Sequence, residues 1–211
     1  MQPGKIICVD FQKDFSAPDG ICYRPRPCVD FIKDVLMPHL RQRGLKVAEI
    51  VSDYRLPRPG DDFECCVPGE TGFESEIPDD VKHPQAWVKC MNSPVWVRDN
   101  GGVAGKPAGM PYPDPAAFTE WLRMTVGAAK ETSEIILMGL TLDCCVLCTA
   151  QELSFRGYQV KFLVEAVDTY SGSQEEKQAL LKIPLANWGQ PISWQQFKRM
   201  TTGLDGNVAT R

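Results

Sequence analysis

Short, almost unbroken apolar runs alternate along this chain with longer stretches in which apolar residues recur every three or four positions. The runs are "KIICVDF" (5–11), "LKVAEIVSD" (45–53), "AWVKC" (86–90), "SEIILMG" (133–139), "YQVKFLVEA" (158–166) and "NWGQPIS" (187–193). Runs of this length, rich in Val and Ile and bounded by turn residues, predict strands buried on both faces of a parallel sheet. Between them, "CVDFIKDVLMPHLRQRG" places Val29, Ile32, Val35, Leu36 and Leu40 at helical spacing, with Gly44 as its stop. Pro38 lies inside that pattern and predicts a kink, or an early end near Met37. "DPAAFTEWLRMTVGAA" reads as a helix capped by Asp114 with Pro115 at its first position. "CCVLCTAQELSFRG", "SQEEKQALLKI" and "WQQFKRM" supply three more helices, the first closed by Gly157.

Alternating strands and helices imply an α/β fold: a three-layer, doubly wound, mostly parallel six-stranded sheet with helices on both faces. Residues 54–84 are rich in Pro, Gly and acids and form a long structured excursion. Residues 1–200 are read as a single domain, and 201–211, which lack periodicity, as a loose C-terminal tail.

Composition narrows the function classes. The chain has 211 residues, 43% hydrophobic and 24% charged, with a formal net charge of −4. No dense Lys/Arg run provides a footprint for nucleic acid. No apolar run is long enough to span a bilayer, and the first residues lack a signal-peptide core. A cytoplasmic location with no membrane or nucleic-acid partner is therefore expected. The nine cysteines are odd in number and irregular in spacing, which argues against a disulfide framework. Most are expected to be small buried hydrophobes.

In doubly wound sheets ligands bind beyond the carboxyl ends of the strands. Asp10 stands at the end of the first run, Lys89 at the end of the third, and Cys144–Cys145 follow the fourth. A thiol must lose its proton to attack, a carboxylate can take it, and an ammonium beside them favours both anions. A helix starting near residue 143 adds about 1 kcal/mol toward thiolate for a cysteine at its first turn, which disfavours Cys148.

These residues carry a family resemblance. "CVDFQKDF" resembles the first signature of the isochorismatase-like cysteine hydrolases, whose members include nicotinamidases and N-carbamoylsarcosine, ureidoacrylate, maleamate and biuret amidohydrolases. "CVPGETGFESEIP" is similar to their Gly-rich segment and "VKCMNSPVW" to their lysine strand. "GLTLDCCVLCTAQELSFRGYQVKFLVEAVDTYSG" resembles their nucleophile segment, and the likeness runs from about residue 5 to 192. The resemblance implies Asp10, Lys89 and Cys145 as the catalytic set, Cys145 being six residues after Gly139 and followed by Val146. It implies a cis Leu140–Thr141 peptide, an oxyanion hole made by the N–H groups of Thr141 and Cys145, and Asp143 as a helix cap. It also implies a homodimer or homotetramer and a small amide, ureido or carbamoyl substrate cleaved through a thioester, with no cofactor.

The chain departs from the nicotinamidase pattern, in which an Asp-x-His motif and later histidines bind a metal. Here "SDYRLPRPGDDFECCV" keeps Asp53 but places Arg55 and Cys65 at His positions, so no metal site of that kind is expected. A mixed set of Asp53, Cys65 and Cys66 is the alternative. Arg55 is a candidate for a substrate carboxylate, or for a structural pair with Asp53 or Asp61. Arg24, Arg26 and Arg98 are less well placed for it. Gln12, Phe15 and Trp96 complete the candidate substrate contacts, with Trp87 and Tyr23 as further pocket aromatics. An ether hydrolase, or a non-catalytic interaction or thiol-redox protein, is the alternative reading; Cys145 argues against the first and the full Asp–Lys–Cys set against the second.

Overall fold

The computed structural model describes residues 5–132, 134–182 and 187–202. Strands β1 (Lys5–Val9), β2 (Val47–Ser52) and β3 (Trp87–Lys89) are followed by a small antiparallel pair, β4 (Trp96–Val97) and β5 (Tyr112–Pro113). Strands β6 (Ile135–Leu140), β7 (Val160–Asp168) and β8 (Gln190–Ile192) complete the set. Six of them form one all-parallel sheet in the order β3-β2-β1-β6-β7-β8. Every residue of β2 and of β6 is buried, which is why these strands read as continuous apolar runs rather than alternating ones.

From β1 the chain steps outward through β2 to β3, then returns to β6 and steps outward the other way. Right-handed crossovers running in opposite directions place their helices on opposite faces. The packing agrees. On one face Trp194 stacks on Phe197 and meets Phe31 and His39 edge-on, joining the helix at 27–42 to the last helix. On the other, Trp87 packs against Phe118 and Trp121, and Arg156 lies over the Phe118 ring. The reversal between β1 and β6 is the topological switch point, where the carboxyl ends of adjacent strands splay into a crevice.

The helix at Pro27–Gln42 does not end at Met37. It passes through a wider π-type turn over Phe31–Leu36, with the Met37 N–H bonded to the Ile32 carbonyl. A wider turn relieves the clash that the Pro38 ring makes with the carbonyl four residues back in a regular helix. The last helix, Trp194–Thr202, continues past residue 200: Thr201 is buried and its hydroxyl meets His39 Nε2 at 2.9 Å. The rest of the expected tail, 203–211, lies outside the described residues, as does part of the 183–186 connection. Among the described residues, no helix is long and apolar enough to cross a membrane.

Candidate active site

Three strand ends converge at the switch point. Asp10 leaves β1 with φ of +49°, a turn out of the strand that its N–H secures by donating to the Ile50 carbonyl at 2.8 Å. Lys89 ends β3, two strands away, and crosses beneath Ser52 at the end of β2. Both side chains are fully buried, and Lys89 Nζ lies 2.9 Å from Asp10 Oδ2. Cys145 enters from the turn after β6. There Gly139 (φ +108°) lies against β1 so closely that a Cβ would sit 2.1 Å from the Val9 carbonyl oxygen. The next peptide, Leu140–Thr141, is cis. A π-type turn over Leu142–Val146 then opens the helix that continues through Leu147–Phe155.

The ammonium is the hub of the site. Nζ donates to Ser52 Oγ at 2.7 Å, to the Tyr54 hydroxyl at 2.6 Å and to Cys145 Sγ at 3.4 Å. Ser52 passes a hydrogen bond on to Asp10 Oδ1 at 2.8 Å. Asp10 Oδ2 is ion-paired with the same ammonium at 2.9 Å, which leaves that oxygen a second lone pair for a further proton. The Tyr54 hydroxyl stands 3.1 Å from Sγ, and Asn92 Oδ1 accepts from the thiol at 3.7 Å.

Electrostatics sets the resting protonation. Burial pushes the Cys145 thiol up, and Lys89, the largest opposing influence, does not offset it; Asp10 raises it further. Lys89 thus acts in the direction expected of it, but burial is the larger influence. Burial also works against the charge on Lys89, yet Asp10 and the sulfur outweigh it, and the ammonium is raised. These influences favour a protonated thiol beside a charged lysine.

The remaining candidates divide. The Gln12 amide is committed to backbone, donating to the Ser52 and Phe73 carbonyls and accepting from the Ser52 N–H at 2.7 Å. It fixes the end of β2, with both amide protons spent on backbone. Phe15 meets the Tyr54 ring edge-on at 6.5 Å and so backs the site indirectly. Trp96 sits in the β4–β5 pair, over a third exposed, and Trp87 donates to the Pro94 carbonyl within the aromatic cluster under the helix Pro115–Thr125. Arg55 grips Asp53 through Nε at 2.8 Å and Nη2 at 2.5 Å and donates to the carbonyls of Lys106 and Asn100. It is a structural pair, the second of the two readings. Asp53, also receiving the Gly102 N–H, is held low despite its burial. Arg26 and Arg98 likewise spend their guanidinium groups on backbone carbonyls. Asp143 is inside the first helical turn, and its carboxylate accepts from the Tyr170 N–H instead of capping.

A metal of the nicotinamidase kind does not fit these residues. A guanidinium occupies the place of one ligand and neutralises the only carboxylate of the set, Asp53.

No family model matches the chain, and no curated protein matches it. Solved structures do. The nicotinamidase/pyrazinamidase of Bacillus subtilis matches at 21% identity and a TM-score of 0.59, covering 89% of this chain and 97% of that one. N-carbamoylsarcosine amidase from Thermoplasma acidophilum matches at 19% and 0.58, covering 92% and 96%. An isochorismatase family protein from Desulfovibrio vulgaris matches at 15% and 0.62, covering 95% and 100%. The chain has the isochorismatase-like hydrolase fold. Within that fold, sequence reasoning missed Ser52, Tyr54 and Asn92. The strand-end rule that selected Asp10 and Lys89 would have selected Ser52 too, since it closes β2.

Proposed function

We propose that this protein is a cysteine amidohydrolase that cleaves the C–N bond of a small amide, ureido or carbamoyl compound through a thioester, without the metal of nicotinamidases. The observation that carries this reading is the fully buried Asp10–Lys89 ion pair, 2.9 Å between Oδ2 and Nζ, with Cys145 Sγ held 3.4 Å from the same Nζ. Asp10 takes the Cys145 proton as Sγ attacks the carbonyl carbon. The resulting oxyanion is received by the N–H groups of Thr141 and Cys145. Asp10 returns the proton to the departing nitrogen, the C–N bond breaks, and ammonia or amine leaves. Water, deprotonated by the same carboxylate, attacks the thioester; the acid departs and the proton goes back to sulfur. Lys89 stays an ammonium throughout and offsets the negative charge as it moves between oxygen and sulfur.

Incubating the protein with a panel of amides, ureides and carbamoyl compounds while following ammonia release tests the reading. Turnover is expected in the native protein and in Cys144→Ala, and is expected to vanish in Cys145→Ala, with the thioester on Cys145 visible by mass spectrometry. Equal loss in both variants, or turnover that survives in Cys145→Ala, overturns it.

A further inference from the structure

A second group of reactive side chains lies behind Tyr54 and shares no residue with the Asp10, Lys89 and Cys145 set. One ligand atom each from Asp14, Cys65 and Cys66 falls within a mutual 4.8 Å, and all three residues are buried. Cys22, also buried, extends the set: thiol hydrogen bonds run from Cys22 to Cys65 and from Cys65 to Cys66. Three thiols and a carboxylate therefore share one enclosed space. The carboxylate is pre-aimed. Asp14 Oδ2 accepts from the Cys66 N–H at 2.5 Å and Oδ1 from the Ile21 N–H at 3.2 Å. Gly72 presses against it so tightly that a Cβ would lie 2.3 Å from both oxygens. Cys66 itself holds φ of +51°, an uncommon backbone for a residue with a side chain.

We infer that Asp14, Cys22, Cys65 and Cys66 form a site for one tetrahedral thiophilic divalent cation of the zinc class. Thiolate-rich sets select such soft or borderline ions over magnesium or calcium. With Zn–S bonds of about 2.3 Å, neighbouring ligands of a tetrahedron lie about 3.8 Å apart, so the group contracts by about 1 Å on binding. A thiol that ligates the ion gives its proton to solvent. Arg26, whose guanidinium donates to the Cys22 carbonyl at 3.4 Å, offsets part of the added negative charge.

The site is distinct from the nicotinamidase arrangement, because Asp53 is absorbed by Arg55 and takes no part. Its ligands come from the short helix Lys13–Ser16 and the loop after it, and from residues 65–66. Cys65 pairs across an isolated bridge with Tyr54, the residue beside Sγ of Cys145. A bound ion would thus staple the excursion to the loop after β1 and steady Tyr54 from behind, a structural role with no step of the hydrolysis routed through it.

Zinc and cobalt(II) are the probes. The full chain, prepared in reductant and dialysed against zinc, is expected to keep one equivalent by elemental analysis. Cobalt(II) substitution is expected to give the intense visible d–d bands and near-ultraviolet charge-transfer absorption of a tetrahedral thiolate site. Cys22→Ser and Cys66→Ser should each diminish that spectrum and weaken zinc binding at least tenfold, while Cys148→Ser should change neither. Should those variants not fold, pulsed alkylation of the native chain with peptide mapping decides the matter: zinc should slow labelling of Cys22, Cys65 and Cys66 but not of Cys144 or Cys148. No retained zinc, weak octahedral cobalt bands, a spectrum unmoved in both variants, or protection falling elsewhere overturns the inference.

Discussion

The hydroxyl of Tyr54 stands 3.1 Å from the Sγ of Cys145. Its lone pair is engaged by Lys89 at 2.6 Å, so its own proton is directed toward sulfur or toward Asn92 Oδ1 at 3.4 Å. Burial raises the phenol well above its ordinary range, so it stays a donor at neutral pH. A neutral donor beside sulfur stabilises the thiolate that forms during attack. Hydrogen bonds to charged groups contribute about 1.5–3 kcal/mol. Tyr54→Phe is therefore expected to lower kcat/KM by about 10- to 100-fold on whichever amide or ureide the panel identifies. An unchanged kcat/KM would mean that Tyr54 only packs.

Lys89 lowers the Cys145 thiol against burial and Asp10. Replacing it by Met removes that influence, so the thiol rises further. The rate of Cys145 alkylation by iodoacetamide, followed by mass spectrometry against pH, should therefore shift to more alkaline pH in Lys89→Met. The variant is also expected to lose about 3–5 kcal/mol of stability, because Asp10 is left as an uncompensated buried charge. An alkylation profile that stays in place, or moves toward neutrality, contradicts the assigned role of the ammonium.

How much of this was legible in the sequence follows from the range of each interaction. The six sheet strands announced themselves because burial on both faces demands unbroken apolar runs, and the strand-end rule then led to Asp10 and Lys89. Pairing of strands only two residues long leaves no periodicity to read, so the β4–β5 pair, Trp96 to Pro113, was invisible. Pro38 did not end the helix early, one of its two expected outcomes, because a π-type turn changes hydrogen-bond spacing without changing which residues are apolar. Arg55 remained open between two roles because the carbonyls that fix it, at Asn100 and Lys106, come from a loop about fifty residues on. Gln12 looked like a ligand contact, since nothing local shows that its amide closes on the backbone forty residues away at Ser52.

Asp53→Asn tests the structural assignment of Arg55. Asp53 is fully buried and meets two guanidinium donors and the Gly102 N–H. Removing its charge leaves Arg55 buried without a counter-ion, and the expected loss is about 3 kcal/mol or more in chemical denaturation. Because neither residue is assigned to substrate, KM in the surviving folded protein should stay within a few-fold of the native value. A large rise in KM with unchanged stability would return Arg55 to the pocket.

Alkaline pH should destabilise this protein unusually early. All nine cysteine thiols are raised in the folded state, from Cys8 through Cys148. The unfolded chain releases those protons near pH 8.5 while the folded chain keeps them, so unfolding gains driving force as pH rises. Their contribution to stability is complete below about pH 8.5 and declines above it. Each such thiol costs about 1.4 kcal/mol per pH unit, so even two remove about 2.7. Lys89, also raised, acts in the same direction once pH passes the ordinary lysine value. Tm measured under reductant should be nearly level from pH 7 to 8 and fall steeply from pH 9 to 10; a flat profile to pH 10 would contradict the buried, protonated thiols.

Gly139 joins the fold to the chemistry, and a single methyl group tests the joint. It pairs with Val9 on one side and Val167 on the other, at the register shift where β6 and β7 lose step. Its φ of +108° is a backbone that residues with side chains rarely adopt, and its Cβ position is already occupied by Val9 main chain, at 2.1 Å from O and 2.7 Å from N. Backbone cannot rotate aside as a flexible side chain can, so β6 must move away from β1 to admit a methyl. That movement would separate Asp10, one residue beyond Val9, from Cys145, six beyond Gly139. Gly139→Ala is therefore expected to lose about 4 kcal/mol or more, in the range reserved for core strain, and to lose amide hydrolysis even where it folds. Gly105→Ala is the matched control, since its φ is also positive, at +68°, but nothing stands within 4 Å of its Cβ position. It should cost only about 1–2 kcal/mol and retain activity. Similar losses in the two variants would show that φ alone, and not the close approach of β1, makes Gly139 necessary.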